Sequence, residues 1–269
     1  MEKMDTAAAP EALHIFDSHA HYDSGQFQED LHTLLPSLFQ KGVCGIMNCG
    51  TDLPSSRFTA DLCSQYAPIY GAAGIHPECA GNLPKNWEQE LEKILCLPKM
   101  VAVGEIGLDY HWEDNPGREV QKEVFAAQLR LANRLGLPVI IHDRDAHGDT
   151  MELLRQYRPK GVVHCFSGSV EMMREAVKLG LYIGLGGAVT FKNARVPVQV
   201  AAEVPLDRLL TETDCPYMAP VPFRGKRCDS SMIAYSAGKI AEIKGIPLRE
   251  VLEAGKRNAE KLFSLPSAP

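Results

Sequence analysis

None of the eight cysteines stands in a Cys-x-x-Cys pair. That removes the spacing of a zinc ribbon and of a thioredoxin-like redox motif. No stretch approaches the ~18 consecutive apolar residues of a membrane span, and residues 1–13 contain no apolar core of a secretory signal. On that reading the cysteines are reduced thiols, the compartment is the cytoplasm, and neither a membrane nor an obligate protein partner is implied. Positive charge is not in excess: 28 Lys and Arg face 34 Asp and Glu, a formal charge of -6. There is no global basic field to draw in nucleic acid, so a polyanionic substrate would need local cations or metal.

Several catalytic signatures are missing too. Phe166-Ser167-Gly168-Ser169 lacks the first glycine of a Gly-x-Ser-x-Gly elbow, and no Walker-type phosphate loop occurs. Gly184-Leu185-Gly186-Gly187 comes late and lacks the spacing of a dinucleotide-binding turn. No internal repeat, low-complexity block or Pro/Gly-rich linker divides the 269 residues. One domain over 14–264 is the simplest reading, with a loose tail at 1–13 and a short one at 265–269.

What is present is a regular alternation. Short apolar runs, each predicted as a strand, begin at Ile15 and recur at Gly45–Cys49, Ile69–Ile75, Met100–Ile106, Val139–His142, Gly161–Cys165, Leu181–Leu185 and Leu209–Asp214. Amphipathic segments separate them, including a helix predicted over 26–41. The clearest carries Val120, Val124, Ala127, Leu131 and Leu135 on one stripe and is stopped by Gly136 and Pro138. Near-continuous apolar strands alternating with helices predict a parallel sheet buried on both faces. At a length near the ~250 residues of that fold, they predict a closed (β/α)₈ TIM barrel.

Polar residues able to hold metal close several of these strands: His19 and His21, Glu105, His142, His164 and Asp214. The C-terminal ends of barrel strands converge on one mouth. Alternation puts His19 and His21 on one face of their strand. It groups Glu105 with Val101 and Val103, His142 with Ile140, and His164 with Val162, all predicted to point inward. Four histidines and two carboxylates exceed the three or four ligands of one zinc site. They predict two divalent ions bridged by Glu105, one with His19, His21 and Asp214, the other with His142 and His164. Imidazole-rich donors favour zinc, manganese, iron or nickel over calcium; magnesium also remains open.

Phe16-Asp17-Ser18-His19-Ala20-His21, Gly74-Ile75-His76-Pro77, Val103-Gly104-Glu105-Ile106-Gly107-Leu108-Asp109-Tyr110, His164-Cys165-Phe166-Ser167-Gly168 and Glu212-Thr213-Asp214-Cys215-Pro216-Tyr217 form an ordered set. The set resembles the TatD family of metal-dependent deoxyribonucleases, within the amidohydrolase superfamily, from about Ile15 to Phe263. The resemblance implies a two-metal hydrolase of phosphodiesters, often a DNA exonuclease, and the same six ligands. Glu78 stands where the family often has a second histidine after His-Pro. The family's Arg-Asn-Glu-Pro reads here as Arg227-Cys228-Asp229-Ser230.

The expected chemistry is hydrolysis of a phosphate ester, with DNA as the first candidate substrate, by water activated between the ions. Asp214 serves as general base and Glu105 as the bridging ligand. His76 is a candidate phosphate contact, as are Arg224, Lys226 and Arg227 in the loop after the eighth strand. Asp109 and His111 are candidates to orient the ligands. Two other readings stay open: hydrolysis of an amide, lactone or other small ester on the same metals, and a metal-binding barrel without turnover.

Overall fold

A computed structural model describes residues 14–266. The tail at 1–13 and residues 267–269 lie outside the described residues. Eight strands follow in order: β1 Ile15–Ala20, β2 Val43–Cys49, β3 Ile69–Ala73, β4 Met100–Asp109, β5 Val139–Arg144, β6 Gly161–Val163, β7 Tyr182–Leu185 and β8 Leu209–Thr211. Each pairs in parallel with the next. β8 returns to β1 through a parallel bridge between Ala20 and Cys215. There Asp214 N–H donates to the His19 carbonyl at 3.0 Å and His21 N–H to the Cys215 carbonyl at 2.8 Å. This is the (β/α)₈ barrel expected from the alternation of apolar runs.

The strands are apolar on both sides because both sides are covered. Phe16, Met47, Ala72, Ala102, Ile140, Val162, Tyr182 and Leu210, one from each strand, meet in an inner cluster. Ile15, Val43, Ile69, Val103, Val139, Val163, Ile183 and Leu209 face the opposite way, into the layer beneath the helices. Leu262 of the last helix (Leu248–Leu262), with Phe263 and Leu265, completes the inner cluster. Leu265, placed in the C-terminal tail by sequence, therefore belongs to the packed body.

The helix predicted from its apolar stripe spans Arg118–Leu135 and ends at Gly136, whose φ of 68° supplies the left-handed cap. Its buried face differs from the expected stripe. Val120 is exposed, whereas Gln121, Phe125, Gln128, Leu129 and Ala132 are buried. Gln128 accepts from Ile75 N–H at 2.7 Å and donates to the Ile75 carbonyl at 3.0 Å. Gln121 does the same for Asp109, at 2.9 Å for each bond. A hydropathy stripe misses such residues, because each amide side chain is buried by satisfying the backbone N–H and C=O of one residue near a strand end. Both pairs of bonds fix backbone at the end of the barrel that carries the polar cluster.

Other boundaries shift for local reasons. β6 and β8 stop before Cys165 and Asp214, whose φ angles of 41° and 62° are incompatible with extended strand. β4 and β5 run further than expected, to Asp109 and Arg144. The helix expected at 26–41 is one turn at Gly25–Phe27 followed by Leu31–Gln40. All eight cysteines are free thiols. Among the described residues no helix is long and apolar enough to cross a membrane.

Candidate metal centre

Simple alternation carries His142 and His164 inward, since Ile140 and Val162 lie in the inner cluster. It does not carry Glu105. Val103, expected to share its face, packs in the outer layer with Ile106, and Ala102 faces inward. A register shift against β5 falls between Val103 and Ile106. That irregularity turns Glu105 into the barrel. β1 behaves alike: Phe16 faces inward and Ala20 outward, with a register shift between Asp17 and Ala20. Without it, His19 and His21 would fall on the outer face.

All six expected ligands meet at the mouth, arranged around the two oxygens of Glu105. Glu105 Oε2 lies 3.3 Å from His19 Nε2 and 3.2 Å from His21 Nε2. Those two nitrogens are 2.9 Å apart, and Asp214 Oδ1 is 3.7 and 3.5 Å from them. Glu105 Oε1 lies 2.8 Å from His142 Nδ1 and 2.7 Å from His164 Nε2, which are 3.4 Å from each other. An ion bound at ~2.1 Å in a tetrahedral site spaces its donors by about 3.4 Å. The two donor groups fit that requirement, and a bidentate carboxylate between them fits a bridge.

Neighbouring groups orient the rings. His21 Nδ1 is 2.9 Å from the Cys49 carbonyl, which can only accept, so Nδ1 carries the proton and Nε2 faces the donor group. His142 Nε2 lies 3.1 Å from Asp109 Oδ2, leaving Nδ1 toward Glu105. A carboxylate behind a histidine fixes the ring and raises its basicity. Asp109 is the partner expected from sequence. Glu212 is one that sequence reading missed. It is buried, accepts from Cys165 N–H, and sits 3.9 Å from His164 Nδ1. Among the described residues neither that nitrogen nor Glu212 Oε2 has a hydrogen-bond partner. Its signal was available: Glu212 stands two residues after the inward-facing Leu210.

Electrostatics divide the cluster into charged and neutral members. Burial opposes charge on Glu105, but His164, His19 and His76 hold its pKa well below the usual value. Burial likewise opposes charge on Asp214, which His21 keeps low. His142 resists burial because Asp109 and Glu105 raise it to about 10, and His21 is raised by Asp214 and Glu105. Burial, with the charge of His164, lowers His19 to about 4, and burial lowers His76 to about 3. Anionic carboxylates thus face protonated imidazoles, and an entering cation would displace those protons.

The donors open into a pocket of about 520 Å³. His76 lines it, with Nε2 3.6 Å from Glu105 Oε1 and Nδ1 accepting from Glu78 N–H at 3.3 Å. Neutral and acceptor at Nδ1, His76 presents Nε2–H to the pocket. Arg224 and Arg227, expected on substrate, are not among the pocket's lining residues. Arg227 forks onto Asp30 at 2.8 and 2.6 Å, and Arg224 lies over the Phe191 ring at 3.7 Å. The arginine that does line the pocket is Arg144, at the end of β5.

The family described as TatD related DNase matches residues 16–264. An uncharacterized metal-dependent hydrolase of Bacillus subtilis, YabD, is 40% identical over 254 residues, covering 93% of this chain and 99% of that protein. The 3'-5' ssDNA/RNA exonuclease TatD of Citrobacter rodentium is 31% identical over 259 residues, covering 93% and 98%. The crystal structure of the TatD homologue YjjV from Escherichia coli superposes with a TM-score of 0.89 at 34% identity, covering 95% of this chain and 100% of that one. The family match and these relatives, together with the barrel, place the chain in the TatD family of metal-dependent hydrolases.

Proposed function

We propose that this protein is a metal-dependent deoxyribonuclease acting as an exonuclease on DNA. The observation that carries the proposal is Glu105, whose two carboxylate oxygens each face a separate group of nitrogen and oxygen donors. His19, His21 and Asp214 would hold one divalent ion and His142 and His164 the other, with Glu105 shared. When bound, such ions act as Lewis acids toward a phosphoryl oxygen and lower the pKa of water.

The chain's own residues supply the rest. Asp214 lines the pocket and its side chain is 19% exposed, so it can reach a water there. His21 keeps Asp214 ionised, the state a general base needs. His76, neutral across the physiological range, donates Nε2–H to a non-bridging phosphate oxygen without repelling a cation. Among the described residues Asp23, Glu78, Glu105, Asp109 and Asp214 line the pocket against the single guanidinium of Arg144. A phosphodiester enters such an acidic mouth only when other positive charge offsets it. The relative named as a single-stranded DNA and RNA exonuclease supports this choice of bond.

The test is end-labelled single-stranded DNA incubated with zinc, manganese, magnesium, iron or nickel, and with chelator, beside amide and lactone substrates. Release of mononucleotides that stops on chelation is expected. Intact DNA under every ion, with turnover of an amide or lactone, would overturn the reading.

A further inference from the structure

We propose that Arg144 anchors a substrate phosphate and that Trp112 and Tyr217 form a stacking surface for unpaired nucleobases at the same mouth, an inference that rests on the nuclease reading. Arg144 is the only lysine or arginine lining the pocket among the described residues. Among the described residues its guanidinium makes no hydrogen bond or ion pair; its ring contact is Trp112, 5.2 Å away, and its charge acts on the neighbouring carboxylates Asp109 and Glu78. A guanidinium lying over an indole keeps its N–H edge free for bidentate contact with phosphate.

Trp112 and Tyr217 are 52% and 53% exposed. Large aromatic rings left half in water, both on one pocket, need an explanation that buried core rings do not. They come from loops after β4 and after β8, strands on opposite sides of the barrel, and line the same pocket as the polar donors. Trp112 is also braced. The His111 ring meets it edge-on at 4.7 Å, and His111 Nδ1 is 2.8 Å from Asp145 Oδ2. His111 N–H donates to Asp109 Oδ1 at 2.9 Å, which ties this loop to the carboxylate behind His142.

A cation beside exposed aromatic rings is the combination that binds single-stranded nucleic acid, one part holding the backbone and the other the bases. A duplex buries its base faces in its own stack and offers them to neither ring. The pocket should therefore favour unpaired ends.

The chain contains two tryptophans, Trp87 and Trp112. In a Trp87→Phe background, Trp112 fluorescence should be quenched saturably by a phosphorothioate oligo(dT), added to metal-loaded protein, and less so as salt rises. With unmodified oligo(dT), Arg144→Ala should raise KM about tenfold, leave kcat within about twofold, and flatten the logarithmic salt dependence by about 0.7, the value for one phosphate contact on a single strand. Arg144→Lys should not restore KM, because a point charge lacks the fork. Trp112→Ala and Tyr217→Ala should each raise KM about fivefold or more and reduce the preference for single strands over duplex. Methyl p-nitrophenyl phosphate, which has no strand to anchor, reports the chemistry alone. If the protein cleaves it and oligo(dT), but the variants keep wild-type KM and strand preference, this inference fails while the nuclease reading stands. If neither is cleaved under any ion, the nuclease reading fails first. Unchanged thermal melting of the three alanine variants excludes misfolding as the cause of a raised KM.

Discussion

Asp109 stands behind His142, with carboxylate Oδ2 3.1 Å from ring Nε2, while the other ring nitrogen faces Glu105 at 2.8 Å. One carboxylate thereby decides which imidazole nitrogen is free for a cation. Asp109→Asn preserves the shape and removes the charge. Metal affinity of the second donor group should fall about 10–100-fold. Competition against a chromophoric chelator measures it, and an unchanged affinity would show that Asp109 has no part in orienting the ligand.

Asp17 illustrates the cost of assembling β1 against β8. It is fully buried and accepts from Thr213 Oγ and Ser230 Oγ, each at 2.6 Å, and from Thr213 N–H at 3.0 Å. Burial nevertheless raises its pKa from 3.8 to about 6. The folded state holds this proton more tightly than the unfolded chain. The associated stability is fully present below about pH 4 and is lost as pH rises through 6, by roughly 3 kcal/mol at most. Asp17→Asn cannot titrate, so wild type should lose stability relative to that variant between pH 4 and 7. Denaturant titrations across that range should diverge; parallel curves would refute the assignment.

Gly107 lies opposite His142 in the β4–β5 register, with φ of 149°. A Cβ there would sit 1.9 Å from the His142 carbonyl oxygen. Gly107→Ala must push β5 away at the residue that carries a ligand. A loss of about 1–3 kcal/mol in unfolding free energy is expected, with weakened metal binding. Wild-type stability and metal affinity in this variant would mean that the strand contact is looser than described.

Much of this molecule was legible before its structure, for reasons that can be named. Eight apolar runs separated by helices specify the barrel, because strands covered on both sides need apolar residues on both sides. Barrel topology then brings the strand ends to one mouth, whatever their separation in the chain. His142 and His164 follow from period-two alternation. Glu105, His19 and His21 join the same cluster only through register shifts in β4 and β1, which alternation does not encode. Arg227 looked like a phosphate contact because of its loop, yet Asp30, 197 residues away in sequence, claims it. Nothing local to Arg144 predicts that Trp112 turns toward it. Apart from Asp109 behind His142, partnerships between distant side chains such as Arg227 with Asp30 and Arg144 with Trp112 are not written in the local sequence.

The central claim is that two cations share Glu105. Elemental analysis of the purified chain, reloaded with a divalent metal and freed of excess by gel filtration, measures this directly. Two ions per chain are expected for wild type, and loss of both in Glu105→Ala with the barrel intact by circular dichroism. A chain that retains no metal, or a Glu105→Ala variant that holds as much as wild type, would contradict it.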